Sequence, residues 1–298
     1  GSARDVLRPV QRLFAGSNSF MGVTVSGGLV AWGTNSSIQG WRDLQNSSNI
    51  VAESVVSTGG AYAGITTAGG VFAIGTPALG GDTNLQGLAA QLQEGVFSLT
   101  ATASAFAALT YTGEVFTWGN VLGAGGVTTA TLPALNNVYM IVATSTSFAA
   151  LREDGSVVTF GDAISGGNSS TVAAQLSSRV VHIVGSKSAF AAFKIDGSLV
   201  TWGHPTRGGD SSAVAAALAD GVVHVTYNDM AFAALKADGS VVTWGDPLYG
   251  GNSSAVQSDI AEGVSYLYAS GKAFAALTST GRVVVWGAST HGGEIPSI

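Results

Sequence analysis

Cysteine is absent from the chain, which removes a disulfide scaffold, thiolate zinc sites and a cysteine nucleophile together. Charge is scarce as well. Only 10% of the 298 residues are Asp, Glu, Lys or Arg, against about 25% in ordinary soluble domains. Twelve Lys and Arg against eighteen Asp and Glu leave a net charge of -6, so the chain lacks the basic surface that binds phosphate backbones by releasing counterions. No nucleic-acid partner is expected. Long hydrophobic runs are missing too. Hydrophobic residues make up 46% of the chain, but they come in short runs broken by Gly, Ser, Thr and Asp, far below the about 20 needed to span a bilayer. Membrane insertion is not expected.

Glycine, by contrast, is plentiful at 42 residues, and it falls on a fixed period, the pattern that decides a repeat architecture. An aromatic residue or Ile followed by Gly recurs at Trp32-Gly33, Ile74-Gly75, Trp118-Gly119, Phe160-Gly161, Trp202-Gly203, Trp244-Gly245 and Trp286-Gly287, at intervals of 42 residues with a single interval of 44. Twelve residues before each lies another aromatic: Phe20, Tyr62, Phe106, Phe148, Phe190, Phe232 and Phe274. The chain is seven copies of one unit.

Within a unit the local code is β. In the sixth copy, Ala231 to Leu235 and Ser240 to Trp244 read as two short strands, joined by Asp238-Gly239, which supplies a residue tolerating positive φ. A third strand precedes this hairpin. Leu13, Val55, Leu99, Ile141, Ile183, Val225 and Leu267 share its register and are expected to face a core, while their neighbours Arg12, Ser54, Ser98, Met140, His182, His224 and Tyr266 are expected to face elsewhere. Connectors such as Gly209 to Gly221 carry an Asp or Ser cap, an Ala-rich middle and a closing Gly, which predicts one or two helical turns.

Such a unit cannot bury both its faces alone, so neighbouring copies must stack in an open solenoid or a closed ring. With Gly1-Ser2 read as an expression scar, the 30 residues from Ala3 to Trp32 and the 12 after Trp286 together make one 42-residue unit. That split predicts a closed seven-bladed all-β propeller, with blade closure shared between the two termini and no bare edge strand. A single domain over residues 3–298 is expected.

At Asp238-Gly239-Ser240-Val241-Val242-Thr243-Trp244-Gly245-Asp246, followed by Gly250-Gly251, the unit resembles the repeat of the regulator-of-chromosome-condensation family. The resemblance runs from Val10 to Gly293, with Trp in five of the seven copies. It implies a seven-bladed β-propeller. Where that family has Gly-x-x-His before its Ala-Leu strand, this chain has Ser186-Lys187-Ser188-Ala189-Phe190; where the family has Gly-Gln-Leu-Gly, it has Gly251 to Ser254. In length the copies are similar to the compact, secreted, inhibitor-type members, which favours a secreted or cell-surface location over the cytoplasm. Exchange-factor members use irregular loops, and this chain carries one two-residue insertion, between Asp82 and Leu88. Gly40-Trp41-Arg42 is similar to a motif of the ultraviolet-photoreceptor members but occurs once, in a connector.

No residue pattern points to catalysis. His182 and His224 share a strand register, but Met140 and Ser98 occupy the equivalent places, so they read as ordinary strand residues rather than metal ligands. Asp154, Asp196 and Asp238 each precede a turn Gly and are assigned to turn geometry. Asp82, Asn168, Asp210, Asn252 and Glu294 follow Gly-Gly and are read as helix caps rather than calcium ligands. Asn35, Asn46, Asn168 and Asn252 also match the glycan acceptor pattern. No nucleophile, base and orienting group occur together, so neither an enzyme nor a bound cofactor is expected.

The Asp-Gly turns should share one face, leaving the other to the segments before each Phe and after each Trp-Gly, where the copies differ most. Variable loops on a constant scaffold suggest recognition of a protein partner. Trp41, Arg42, Arg207, Tyr249 and His291 are the strongest anchors, because Trp, Tyr and Arg dominate interface energetics. Lys187, Asn228, Asp229 and Lys272 lie beside them in the variable segments. The expected function is a monomeric, non-enzymatic binding scaffold, inhibitor-like or adhesive. Regulation of a small GTPase by nucleotide exchange is the alternative the resemblance implies, and glycan binding through exposed aromatics is a third.

Overall fold

The computed structural model describes residues 9–17, 19–33, 51, 54–82, 84, 87–120 and 135–295. Twenty-one strands form seven three-stranded antiparallel sheets, each in simple sequence order. These are the seven blades expected, and among the described residues the helical segments between strands are only three to six residues long. The chain groups into two compact units, Gly1–Ile141 and Val142–Ile298, with the division inside a strand of the fourth sheet. The expected joining of the termini involves residues 3–8 and 296–298, which lie outside the described residues.

In unit 1 the first sheet contains β1 (Val10–Ala15), β2 (Ser19–Thr24) and β3 (Leu29–Gly33), and the second β4 (Val56–Ser57), β5 (Ala61–Ile65) and β6 (Val71–Gly75). The third contains β7 (Val96–Ala101), β8 (Ala105–Thr110) and β9 (Val115–Gly119). The fourth, within which the division falls, contains β10 (Val138–Ala143) and, in unit 2, β11 (Ser147–Arg152) and β12 (Val157–Gly161). Unit 2 continues with β13 (Val180–Gly185), β14 (Ala189–Lys194), β15 (Leu199–Gly203), β16 (Val222–Tyr227), β17 (Ala231–Lys236) and β18 (Val241–Gly245). Its last sheet is β19 (Val264–Ala269), β20 (Ala273–Thr278) and β21 (Val283–Gly287).

Register explains the two aromatics of each repeat. Phe232 lies opposite Trp244 across the β17–β18 pair, and their rings stack with centroids 5.2 Å apart. Phe106, Phe148, Phe190, Phe232 and Phe274 are fully buried; each contributes about 1.5–3 kcal/mol by leaving water. The Ala residues between them let neighbouring blades approach closely. Ala189 and Ala191 pack with Phe232 and Trp244 in one core cluster, and Ala231 and Ala233 with Phe274 and Trp286 in the next.

Turns follow the sequence. Gly197 and Gly239 have φ of +79° and +81°, and the preceding Asp196 and Asp238 accept from the backbone N–H of Ser198 and Ser240 at 3.2 and 2.9 Å. The connectors carry the helical turns expected, mostly of 3-10 type, such as Ser212–Val214. Of the residues after Gly-Gly, Asp82, Asn168, Asp210 and Asn252 accept from the backbone N–H two residues on, at 2.8–3.0 Å, but Asn168, Asp210 and Asn252 stand one residue before the N-caps, which are Ser169, Ser211 and Ser253. Each connector then returns to the sheet edge. The Leu218 carbonyl accepts from Leu199 at 3.0 Å and that of Ile260 from Val241 at 3.0 Å, so the outer strand does not present a bare row of donors.

Two readings of the first strand need correction. Val55, Ile183, Val225 and Leu267 are buried as expected and Leu99 and Ile141 are half-buried, but Leu13 is 60% exposed. Strict alternation also fails. A bulge recurs between Val10 and Arg12, Val96 and Ser98, Val180 and His182, Val222 and His224, and Val264 and Tyr266. An extra residue lets two consecutive side chains point outward, which is why Val223 is exposed beside His224.

Candidate functional site

Seven of the nine anchors proposed from sequence lie in unit 2, in the segments that flank the hairpins. Trp41 and Arg42 lie outside the described residues. The two flanking segments of a blade meet. Ser270 Oγ donates to the His291 carbonyl at 2.7 Å, and Asn228 Nδ2 donates to the Tyr249 carbonyl at 2.7 Å. These bonds span 21 residues of sequence and fasten the segment before the hairpin to the 3-10 turn after it.

Adjacent blades are tied at the same level. The backbone N–H of Ser145 donates to the Lys187 carbonyl at 3.0 Å, and that of Asp229 to the Gly271 carbonyl at 3.3 Å. Lys187 Nζ reaches Asp229 Oδ2 at 2.7 Å. This ion pair is largely exposed and contributes about 0.2–1 kcal/mol. Lys272 Nζ sits 5.5 Å from the centroid of the Tyr249 ring, a cation–π arrangement, and Arg207 Nη1 lies 3.5 Å from Ser188 Oγ. The His291 ring nitrogen Nδ1 is 2.9 Å from Thr290 Oγ1.

The anchors differ in availability. Lys187 and His291 are exposed, and Arg207, Asp229 and Lys272 are partly so. Tyr249 is half-buried and packs against the cluster containing Phe274 and Trp286, so part of its ring supports the core. Asn228 is only 6% exposed. Its Oδ1 accepts from Met230 and Ala231 at 3.1 and 2.9 Å, and with Nδ2 donating to the Tyr249 carbonyl the side chain holds a turn.

Leu248, 77% exposed at the tip of the Pro247–Tyr249 turn, went unread in the sequence. So did Ile164, exposed at the equivalent place. A signal existed. Four residues after the aromatic of the Trp-Gly pair, successive copies carry Ile164, Thr206, Leu248 and Thr290, so a single repeat position varies between apolar and polar where only a protruding tip allows both.

Little in this region resembles a reaction centre. His224 Nε2 is 3.1 Å from Thr226 Oγ1, and the His182 ring lies 5.8 Å from that of Phe193, tilted by 51°. Among the described residues there is no cluster of three or more His, Asp or Glu placed to hold a metal. Asp196 and Asp238 have carboxyls held below the usual range by the hydroxyls and backbone N–H groups of Ser198 and Ser240, which favours their charged form in the turns. Among the described residues no helix is long and apolar enough to cross a membrane.

No protein-family model matches the sequence, and no curated protein matches it. Similar solved structures include human WBSCR16, 14% identical, covering 81% of this chain and 78% of that one with a TM-score of 0.47. Yeast RCC1 (Prp20), solved with Kap60 bound, is 16% identical, with coverage of 79% and 70% and a TM-score of 0.47. The CRINKLY WD40 ectodomain of the Arabidopsis thaliana receptor kinase ACR4 is 16% identical, with coverage of 80% and 81% and a TM-score of 0.46.

Proposed function

We propose that the chain is a non-enzymatic scaffold that recognises a protein partner through the loops flanking the hairpins of unit 2. The carrying observation is the way those loops are held. Lys187, Arg207, Tyr249, Lys272 and His291, with the protruding Leu248, sit on segments pinned by side-chain bonds to backbone carbonyls and by ties from blade to blade. Such loops lose little conformational entropy on binding, which favours affinity. Their composition also suits an interface, with protruding apolar tips at Ile164 and Leu248, an aromatic ring under a cation and a rim of mixed charge.

The test uses the purified chain as bait, with a Leu248→Ser/Lys187→Ala variant beside it. Both side chains are exposed, so the variant should keep the parent melting temperature. A partner captured by the parent and lost by the variant supports the reading. Equal capture by both, or no capture by either, overturns it. Faster nucleotide release from a captured GTPase would replace passive binding by exchange.

A further inference from the structure

Two of the Asn-x-Ser patterns in the sequence fall among the described residues, Asn168-Ser169-Ser170 and Asn252-Ser253-Ser254. Both stand in connectors of unit 2, directly after Gly-Gly, and both Asn residues are exposed. Each Asn accepts through Oδ1 from the backbone N–H of the third residue, Ser170 or Ser254, at 3.0 Å. The middle residue ties the turn to its blade: Ser169 Oγ lies 3.0 Å from Thr159 Oγ1, and Ser253 Oγ lies 3.0 Å from Thr243 Oγ1. Each pattern is thus displayed on an anchored surface turn.

The turn itself asks only for an acceptor. Asp82 and Asp210 hold the same place in their copies and accept from the N–H two residues on at 2.8 and 2.9 Å, so a carboxylate serves there as well as a carboxamide. The Asn copies therefore carry an Nδ2 that the turn does not use, and at neither site does it hydrogen-bond another described residue. Asn228 is the contrast, with its Nδ2 committed to the Tyr249 carbonyl at 2.7 Å. Ser170 and Ser254 are exposed too, and their hydroxyls make no hydrogen bond among the described residues. Space lies beside each Asn: Asn168 borders an open cleft of about 550 Å³ with Pro205 and Asp210, and Asn252 borders one of about 480 Å³ with Val214 and Ala217.

We propose that Asn168 and Asn252 are modification sites that carry N-linked glycans. An Asn followed two residues on by Ser, with a residue other than Pro between, is the acceptor pattern for that modification, which is borne on the protein surface. Here the fold leaves the reacting nitrogen and the required hydroxyl exposed and uses neither. In the step, Nδ2 bonds to the anomeric carbon of a sugar carried on a lipid diphosphate. The bond from that carbon to the diphosphate oxygen breaks, its electron pair leaves with the diphosphate, and Nδ2 gives up one proton. The donor is a lipid-linked oligosaccharide, so the proposal includes the secreted or cell-surface location that the sequence favours.

The experiment expresses the full chain and its variants in the cells the protein comes from, purifies them and maps sugar onto peptides by mass spectrometry. Peptides holding Asn168 and Asn252 are expected to carry hexose or hexosamine units. Ser254→Ala should remove the sugar from Asn252 and leave that on Asn168, because the acceptor pattern requires the hydroxyl. Asn168→Asp and Asn252→Asp should each lose their own sugar and still fold, as Asp82 and Asp210 fill the same turn. Only unmodified peptide at either position, or sugar on Asn252 that survives Ser254→Ala, would overturn the proposal, whatever the loops of unit 2 bind.

Discussion

The indole N–H of Trp244 donates to the carbonyl of Gly208 at 3.0 Å, across 36 residues and from one blade to the connector before it. Trp118 makes the same bond to Gly80 at 2.9 Å, Trp202 to Gly166 at 3.0 Å and Trp286 to Gly250 at 3.0 Å. The exceptions are informative. Ile74 and Phe160 replace Trp in two copies, and the preceding connectors carry Ile38 and Ala124 where the bonded Gly stands elsewhere. Trp and Gly thus go together across blades, as a donor and the acceptor it is there to meet.

Trp244→Phe should leave the buried Gly208 carbonyl unpaired and cost about 1–3 kcal/mol. Trp32 is 38% exposed and makes no such bond among the described residues, so Trp32→Phe should cost clearly less. Urea denaturation of both variants measures the difference. Equal losses would mean that ring size, not the indole bond, sets the requirement.

Gly208 has φ of +99°, and a Cβ there would stand 2.4 Å from the Phe232 ring. Gly208→Ala should therefore add overpacking of about 1–3 kcal/mol to the left-handed penalty of about 1–2 kcal/mol. Gly292, at φ +95°, would place its Cβ in open space, and Gly292→Ala should show the left-handed penalty alone. A Gly292→Ala variant as destabilised as Gly208→Ala would remove the steric explanation.

Asp196 and Asp238 are expected to shape the acid limb of the stability curve. Their folded-state pKa values lie below the ordinary 3.8, held down first by the Ser198 and Ser240 hydroxyls, whose Oγ atoms lie 2.7 and 2.6 Å from the carboxylates. The unfolded chain then takes up protons first as the pH falls, so the stability these groups add is present above 3.8 and lost as the pH drops through their lowered folded values. Asp196→Asn/Asp238→Asn keeps an acceptor in each turn and should flatten the fall in melting temperature over that range. An unchanged fall would place acid sensitivity elsewhere.

The sequence by itself determined the seven repeats, the two hairpin strands of each, the Asp-Gly turns and the polar turns after Gly-Gly, because all of these are set by neighbours close in the chain. Asp210 accepting from the Ser212 N–H at 2.9 Å needs no distant partner. It also marked the variable segments, but not what their residues do there: Asn228 and Asp229 are adjacent in sequence, yet one holds a turn and the other meets Lys187 from the preceding blade. Only the tertiary structure decided these roles, along with the outward turn of Phe97 and the pairing of Trp244 with Gly208. The physical reason is separation. Burial and hydrogen-bond partners are fixed by residues about one repeat away, and the repeat pattern states that such residues exist without stating which atoms meet.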